Sequence, residues 1–237
     1  MTVANATGTL AERVEHVRGR MREAARRANR AVEEIRLVAV SKTHPAEAID
    51  AALDLGLFDF GENRVQEAEQ KIPLVDRGAA KWHLIGHLQS NKARRAVELF
   101  DIIHSLDSPA LALRLNRICE ELNRESLPVL IQVDLGAEVT KSGVTEGELS
   151  EVMAAINECS RLQLQGLMTL PPFFDEAERV RPYFRRLREL RDQLSALGVF
   201  ADGLGELSMG MTHDFEIAIE EGATMVRVGT AIFGERE

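Results

Sequence analysis

Lysine is scarce in this sequence: five residues stand against twenty-four arginines. That scarcity narrows one chemistry sharply. A desolvated lysine can lose its proton and attack a carbonyl, whereas arginine stays protonated in any protein environment. Covalent carbonyl chemistry is therefore restricted to Lys42, Lys71, Lys81, Lys92 and Lys141. Cysteine is scarcer still. Cys119 and Cys159 both fall at apolar positions of helix-like segments, which fits buried thiols and excludes a disulfide framework. No apolar stretch approaches the roughly 20 residues that span a bilayer, and the first residues lack the basic and apolar regions of a secretory signal. A net charge of −9 excludes the basic footprint that nucleic acid or an anionic membrane requires. These absences lead us to expect a cytoplasmic protein with neither partner; we further expect a monomer with a disordered tail over 1–8.

What is present is globular: 45% hydrophobic and 28% charged residues. Leu10, Val14, Val17, Met21, Ala25, Ala28 and Val32 recur at helical spacing and predict a long N-terminal helix. Its many arginines are interspersed with Glu12, Glu15 and Glu23, which we read as a solvated face rather than a phosphate-binding stripe. Short apolar runs then alternate with helical patterns. The expected strands are 37–40, 58–60, 82–85, 102–104, 129–133, 162–167, 204–208 and 225–228. Boundary residues punctuate the helices between them. Pro45 opens one that Gly56 closes, Ser108-Pro109 caps another, Thr145-x-x-Glu148 resembles a capping box, and Asp175 is placed to cap a segment ending at Gly198, with Pro182 inside it as a signal for a start near Val180 instead. Eight strands alternating with helices predict a single (β/α)8 barrel of TIM type with an extra N-terminal helix, spanning 1–237. An open doubly wound sheet is the alternative, but no strand is followed by a G-x-G-x-x-G fingerprint.

Polar residues gather just past the strand ends, where such barrels place their chemistry. Lys42 ends the run Leu37-Val-Ala-Val-Ser41. Arg227-Val-Gly229-Thr230-Ala231 has the form of an anion site, with Gly229 admitting close backbone approach, Thr230 adding a hydroxyl and Ser208 in the preceding loop supplying another donor. Closure would bring strands one and eight, and hence Lys42 and Arg227, together. His83 and His87 are four residues apart, but on a strand and its turn with no carboxylate or thiol cluster, so packing and turn hydrogen bonds are expected rather than a metal. His104 is expected as a satisfied barrel residue and Tyr183 as a packing residue.

The blocks Val38-Ala-Val-Ser-Lys42-Thr, Phe60-Gly-Glu-Asn63-Arg-Val-Gln-Glu67 and Trp82-His-Leu-Ile-Gly-His-Leu-Gln-Ser-Asn-Lys92 resemble the pyridoxal phosphate homeostasis protein family. So do Thr140-Lys-Ser-Gly143, Gly166-Leu-Met-Thr-Leu-Pro-Pro172, Leu207-Ser-Met-Gly-Met211 and Met225-Val-Arg-Val-Gly-Thr-Ala-Ile-Phe-Gly234. The resemblance covers nearly the whole chain. It implies a barrel like the N-terminal domain of alanine racemase, with pyridoxal 5′-phosphate (PLP) held as a Schiff base on Lys42. It further implies that Arg227 faces the pyridine nitrogen, that Ser208, Gly229 and Thr230 contact the phosphate, and that Asn63 lies near the cofactor. Arg64 stands where the family often has Tyr, and Thr212 where it often has Ser.

The resemblance implies a PLP carrier or regulator, with apo PLP-dependent enzymes as candidate receivers, rather than a catalyst. Arginine at a pyridine nitrogen donates without protonating it, which makes the ring a poorer electron sink than one paired with Asp. Racemisation also needs acid–base groups on both faces of the substrate carbon. Alanine racemases add a β-domain and a catalytic Tyr from the partner subunit, for which the sequence up to Glu237 leaves no length and Tyr183 is poorly placed. A PLP-dependent amino-acid racemase is the alternative, and a Schiff-base aldolase acting on a sugar phosphate is the third reading.

Overall fold

A computed structural model of the chain describes residues 8–75, 78, 80–136, 142–200 and 203–235. The expected tail over 1–8, apart from Gly8, and Lys141 lie outside the described residues. The apolar runs form β1 (Arg36–Val40), β2 (Asp59–Glu62), β3 (Lys81–Leu84), β4 (Ile102–Leu106), β5 (Leu127–Gln132), β6 (Leu162–Met168), β7 (Glu206–Ser208) and β8 (Met225–Val228). All pair in parallel, in chain order, and β1 closes on β8 with Val38 opposite Arg227 and Ala39 opposite Val228. The barrel is thus closed. Each strand lies within two residues of its expected bounds.

Alternation along the strands divides the core into two. Val38, Ile102, Leu130, Met168 and Met225 pack inside the barrel. Phe60, Trp82, Leu84, Ile103 and Val226 face the surrounding helices. Those helices are α1 (Leu10–Arg27), α2 (Ala46–Asp54), α3 (Val65–Lys71), α4 (Ala93–Leu99), α5 (Pro109–Glu121), α6 (Leu149–Asn157), α7 (Arg181–Ala196), α8 (Phe215–Glu220) and α9 (Thr230–Phe233). Among the described residues no helix is long and apolar enough to cross a membrane.

Most boundary signals act as expected. Gly56 takes φ 73° after α2, and the Ser108 hydroxyl accepts from the Leu111 N–H at the start of α5. Three expectations need correction. The N-terminal stripe continues to Val32, but α1 stops at Arg27 because Asn29 adopts a left-handed φ of 51°, leaving Val32 in a short 3-10 turn. Asp175 does not cap α7, which starts after Val180 as the position of Pro182 indicates, with that proline in the first turn, where the missing N–H costs no helical bond. Nor is the arginine-rich segment 13–30 simply solvated. Arg13 donates to the Ile232 carbonyl, Arg20 pairs with Glu216 and lies over the Phe215 ring, and Arg30 donates to the Ile219 and Ala223 carbonyls. These contacts fasten α1 and the turn that follows it to α8 and α9.

Candidate functional site

Lys42 sits at the carboxyl end of β1, half-buried, in a tight turn closed by the His44 N–H on the Ser41 carbonyl at 3.1 Å. Thr43 follows at φ 68°, a left-handed conformation rare for a β-branched residue. Such strain persists only where neighbours enforce it. Here the Glu67 carboxylate accepts the Thr43 N–H. Glu67 belongs in turn to a buried cluster behind the turn. Lys71 Nζ lies 2.6 Å from Glu62 Oε1, 2.9 Å from Glu67 Oε1 and 2.8 Å from the Ser41 carbonyl, while the Ser41 hydroxyl donates to Glu62 at 2.8 Å. Burial raises the Glu62 carboxyl above its ordinary value despite the bond from Lys71. Glu67 is also pushed up by burial, but the donors Lys71 and Thr43 prevail and leave it lowered.

Arg227 enters from the adjacent strand, fully enclosed by the barrel. Its guanidinium donates from Nη1 to Ser208 Oγ at 2.5 Å and from Nη2 to the Thr169 carbonyl at 2.9 Å. Burial lowers its pKa to about 10, so it is a cation at neutral pH. Asp214 is also enclosed and raised by burial, but its Oδ1 is taken by the Met211 N–H at 2.6 Å.

Beyond Arg227 the chain turns at Gly229 into α9. A Cβ on Gly229 would lie 3.2 Å from the Val40 carbonyl, so this glycine lets the β8 end pack against the end of β1. Thr230 is exposed at that turn. Asn63 follows β2 on the other flank of Lys42, half-buried. Its backbone packs against Gly86 so closely that a Cβ at position 86 would come within 2.2 Å of the Asn63 carbonyl oxygen. Arg64 is exposed at the start of α3, where its charge helps lower Glu67. Thr212 is half-buried past β7.

The closed register therefore gathers Lys42, Asn63, Ser208, Arg227, Gly229 and Thr230 at one mouth of the barrel. Two other lysines are set apart. Lys71 is bound up in its ion pairs, and Lys81 is exposed at the amino start of β3. Sequence reasoning missed the Glu62–Glu67–Lys71 cluster, although the four-residue spacing of Glu67 and Lys71 on a helix is a legible signal for part of it. It also left His83 and His104 without partners. The two rings bond each other at 2.9 Å, with Asp59 beyond His83 and Ser208 beyond His104. His87 bonds Asp107 at 2.9 Å on the surface, and Tyr183 stacks on Phe174.

Burial depresses both His83 and His104, against the nearby Asp59 carboxylate in the case of His83 and with the help of the Arg227 charge in the case of His104. The fold thus favours neutral rings, while the unfolded chain takes up protons near the ordinary imidazole value of about 6.5. Stability present above that pH is lost as pH falls below it. We expect this pair to add up to about 2.7 kcal/mol per pH unit to the fall, the value for two protons. Denaturant unfolding between pH 7.5 and 5.5 should give a shallower slope in His104→Gln. Equal slopes would mean that His104 is charged in the fold.

A family model described as the alanine racemase N-terminal domain matches residues 14–237. The pyridoxal phosphate homeostasis protein of Aquifex aeolicus is 44% identical over 226 residues, covering 95% of this chain and 98% of its own. That of Escherichia coli K12 is also 44% identical, over 233 residues, covering 96% and 97%. The structure of PipY from Synechococcus elongatus, solved with PLP bound, superposes with a TM-score of 0.82 at 40% identity, covering 95% of this chain and 100% of that one.

Proposed function

We propose, from the premise that this chain belongs to the pyridoxal phosphate homeostasis protein family, that it binds PLP at the carboxyl mouth of the barrel and serves in intracellular PLP homeostasis. The observation that carries this reading is the juxtaposition across the β1–β8 seam of a half-buried lysine, a buried donor-only arginine and a glycine–threonine turn.

The donor set matches the cofactor group by group. PLP when bound supplies an aldehyde that condenses with an amine and a pyridine ring that withdraws electrons. Lys42 would hold the aldehyde carbon as a Schiff base. Arg227 would donate a hydrogen bond to the pyridine nitrogen and, still a cation with its pKa at about 10, keep its proton. Backbone N–H groups at Gly229 and Thr230 with the Thr230 hydroxyl would hold the phosphate, and Asn63 would border the ring. The Ser208 oxygen, expected as a phosphate contact, already accepts from Arg227, and in this reading it serves the site through that arginine. Thr230→Ala should weaken PLP retention roughly tenfold, the scale of one charge-assisted hydrogen bond, and leave the fold intact. Unchanged affinity by equilibrium dialysis would remove Thr230 from the site.

In this reading the protein stores or delivers PLP, as a cytoplasmic monomer, with apo PLP-dependent enzymes as receivers. Two buried, unpaired thiols among the described residues support a reducing compartment. An arginine-paired pyridine stabilises a carbanion weakly, and Tyr183, stacked on Phe174, offers no opposite-face base. We therefore expect no efficient turnover. The test is the PLP-loaded protein assayed with D- and L-amino acids for racemisation, transamination and decarboxylation. A rate of about 1 s⁻¹ or more, typical of ordinary enzymes, would establish a catalyst instead.

A further inference from the structure

Five polar side chains form one unbroken line through the barrel interior. Arg227 Nη1 is 2.5 Å from Ser208 Oγ, which is 2.9 Å from His104 Nδ1. His104 Nε2 is 2.9 Å from His83 Nδ1, and His83 Nε2 is 2.8 Å from Asp59 Oδ1. The line runs from the carboxyl end of β8 to the first residue of β2, at the opposite mouth, where Asp59 is 20% exposed and Arg36 Nε stands 3.8 Å away. Ser208, His83 and His104 are completely enclosed.

With both buried rings neutral, counting hydrogens fixes the direction of every bond. A guanidinium has no acceptor and a carboxylate no donor. His83 must therefore carry its hydrogen on Nε2, facing Asp59. A neutral ring so arranged presents a bare Nδ1, which accepts from His104 Nε2–H. His104 then presents a bare Nδ1, which accepts the Ser208 hydroxyl hydrogen. The lone pairs of Ser208 are left facing Arg227. Reversing either ring would set two hydrogens or two lone pairs against each other in a buried site, at the cost of an unmade bond. With all dipoles aligned, each bond polarises the next.

We propose that Asp59, His83 and His104 are positioning residues that act through Ser208 to hold the Arg227 guanidinium in one orientation, leaving its other N–H groups for a ligand. The consequence for PLP rests on the function proposed above, whereas the line itself can be tested without cofactor. Long-range ¹H–¹⁵N spectra of the histidine-labelled apo-protein at pH 7.5 should show both buried rings as Nε2–H tautomers. A charged ring, or an Nδ1–H form at either position, would overturn the proposal. Ser208→Ala should shift the His104 Nδ1 resonance and raise the PLP dissociation constant about tenfold, the loss expected for one bond to a charged group. Ser208→Thr, which keeps the hydroxyl, should stay close to the parent. A folded Ser208→Ala protein with both readouts unchanged would overturn the proposal too. If Ser208→Ala fails to fold, the tautomers of the parent protein decide. Failure of the parent to bind PLP would sink the proposed function, and the apo spectrum would still decide the line.

Discussion

Lys42→Ala is expected to abolish both the visible absorbance of the PLP-loaded protein and the attachment that borohydride makes permanent. The expectation follows from elimination within the structure as much as from the position of Lys42. A lysine must be able to lose its proton to attack an aldehyde. Lys71 is engaged elsewhere, its Nζ lying 2.6 Å and 2.9 Å from two carboxylates and 2.8 Å from the Ser41 carbonyl, behind the turn rather than at the mouth. Lys81 opens at the opposite mouth of the barrel from Arg227. Lys42 alone among these three shares the seam with Arg227 and Gly229. The variant should retain some PLP through its remaining donors, but reversibly. Peptide mapping of the reduced protein checks the assignment, and a label on Lys92 or Lys141 with Lys42 unmodified would overturn it.

The largest effect on stability is expected from Lys71→Ala. Removing one partner of a buried ion pair typically costs about 3–5 kcal/mol, because the remaining charge is left enclosed and uncompensated. Glu62 is completely enclosed and its Oε2 already lacks a hydrogen-bond partner, so it depends heavily on Lys71. In the variant the burial that already raises the Glu62 carboxyl would act unopposed by the ammonium. A carboxyl whose folded pKa lies above its unfolded value of about 4.3 destabilises the fold increasingly as pH rises through that window. The deficit of Lys71→Ala relative to the parent should therefore be largest at neutral pH and shrink toward pH 4.5. Denaturant midpoints across that range test the sign. A compensated variant, Glu62→Gln with Lys71→Met, should recover most of the loss. Because Lys71 and Glu67 also support the Ser41 carbonyl and the strained Thr43, the single variant should hold PLP less well even where it remains folded.

The barrel was legible in the sequence because its signals are local. Strand runs such as Leu37–Val40 and Met225–Val228 and helical stripes such as Leu111, Leu115 and Ile118 are written by residues within one or two turns of each other. The places of Lys42 and Arg227 were legible for the same reason, since each lies at the carboxyl end of an apolar run. The end of α1 was not, because the left-handed Asn29 halts the helix while the apolar spacing carries on to Val32. Nor was the line from Asp59 to Arg227. His83 and His104 each look, in sequence, like isolated polar residues in apolar strands, and only the register of β2, β3 and β4, with closure setting β7 across the barrel from β4, brings them within hydrogen-bond distance of partners. Glu62 shows the limit most plainly. It follows a glycine at a strand end and reads as a loop residue, yet the pleat turns it outward beneath α3, where Lys71 meets it. Composition and periodicity are set by neighbours along the chain and determined the barrel and the place of Lys42 at its mouth. The partners of the buried charges were decided by closure, since register and strand stagger are properties of the whole sheet rather than of any one strand.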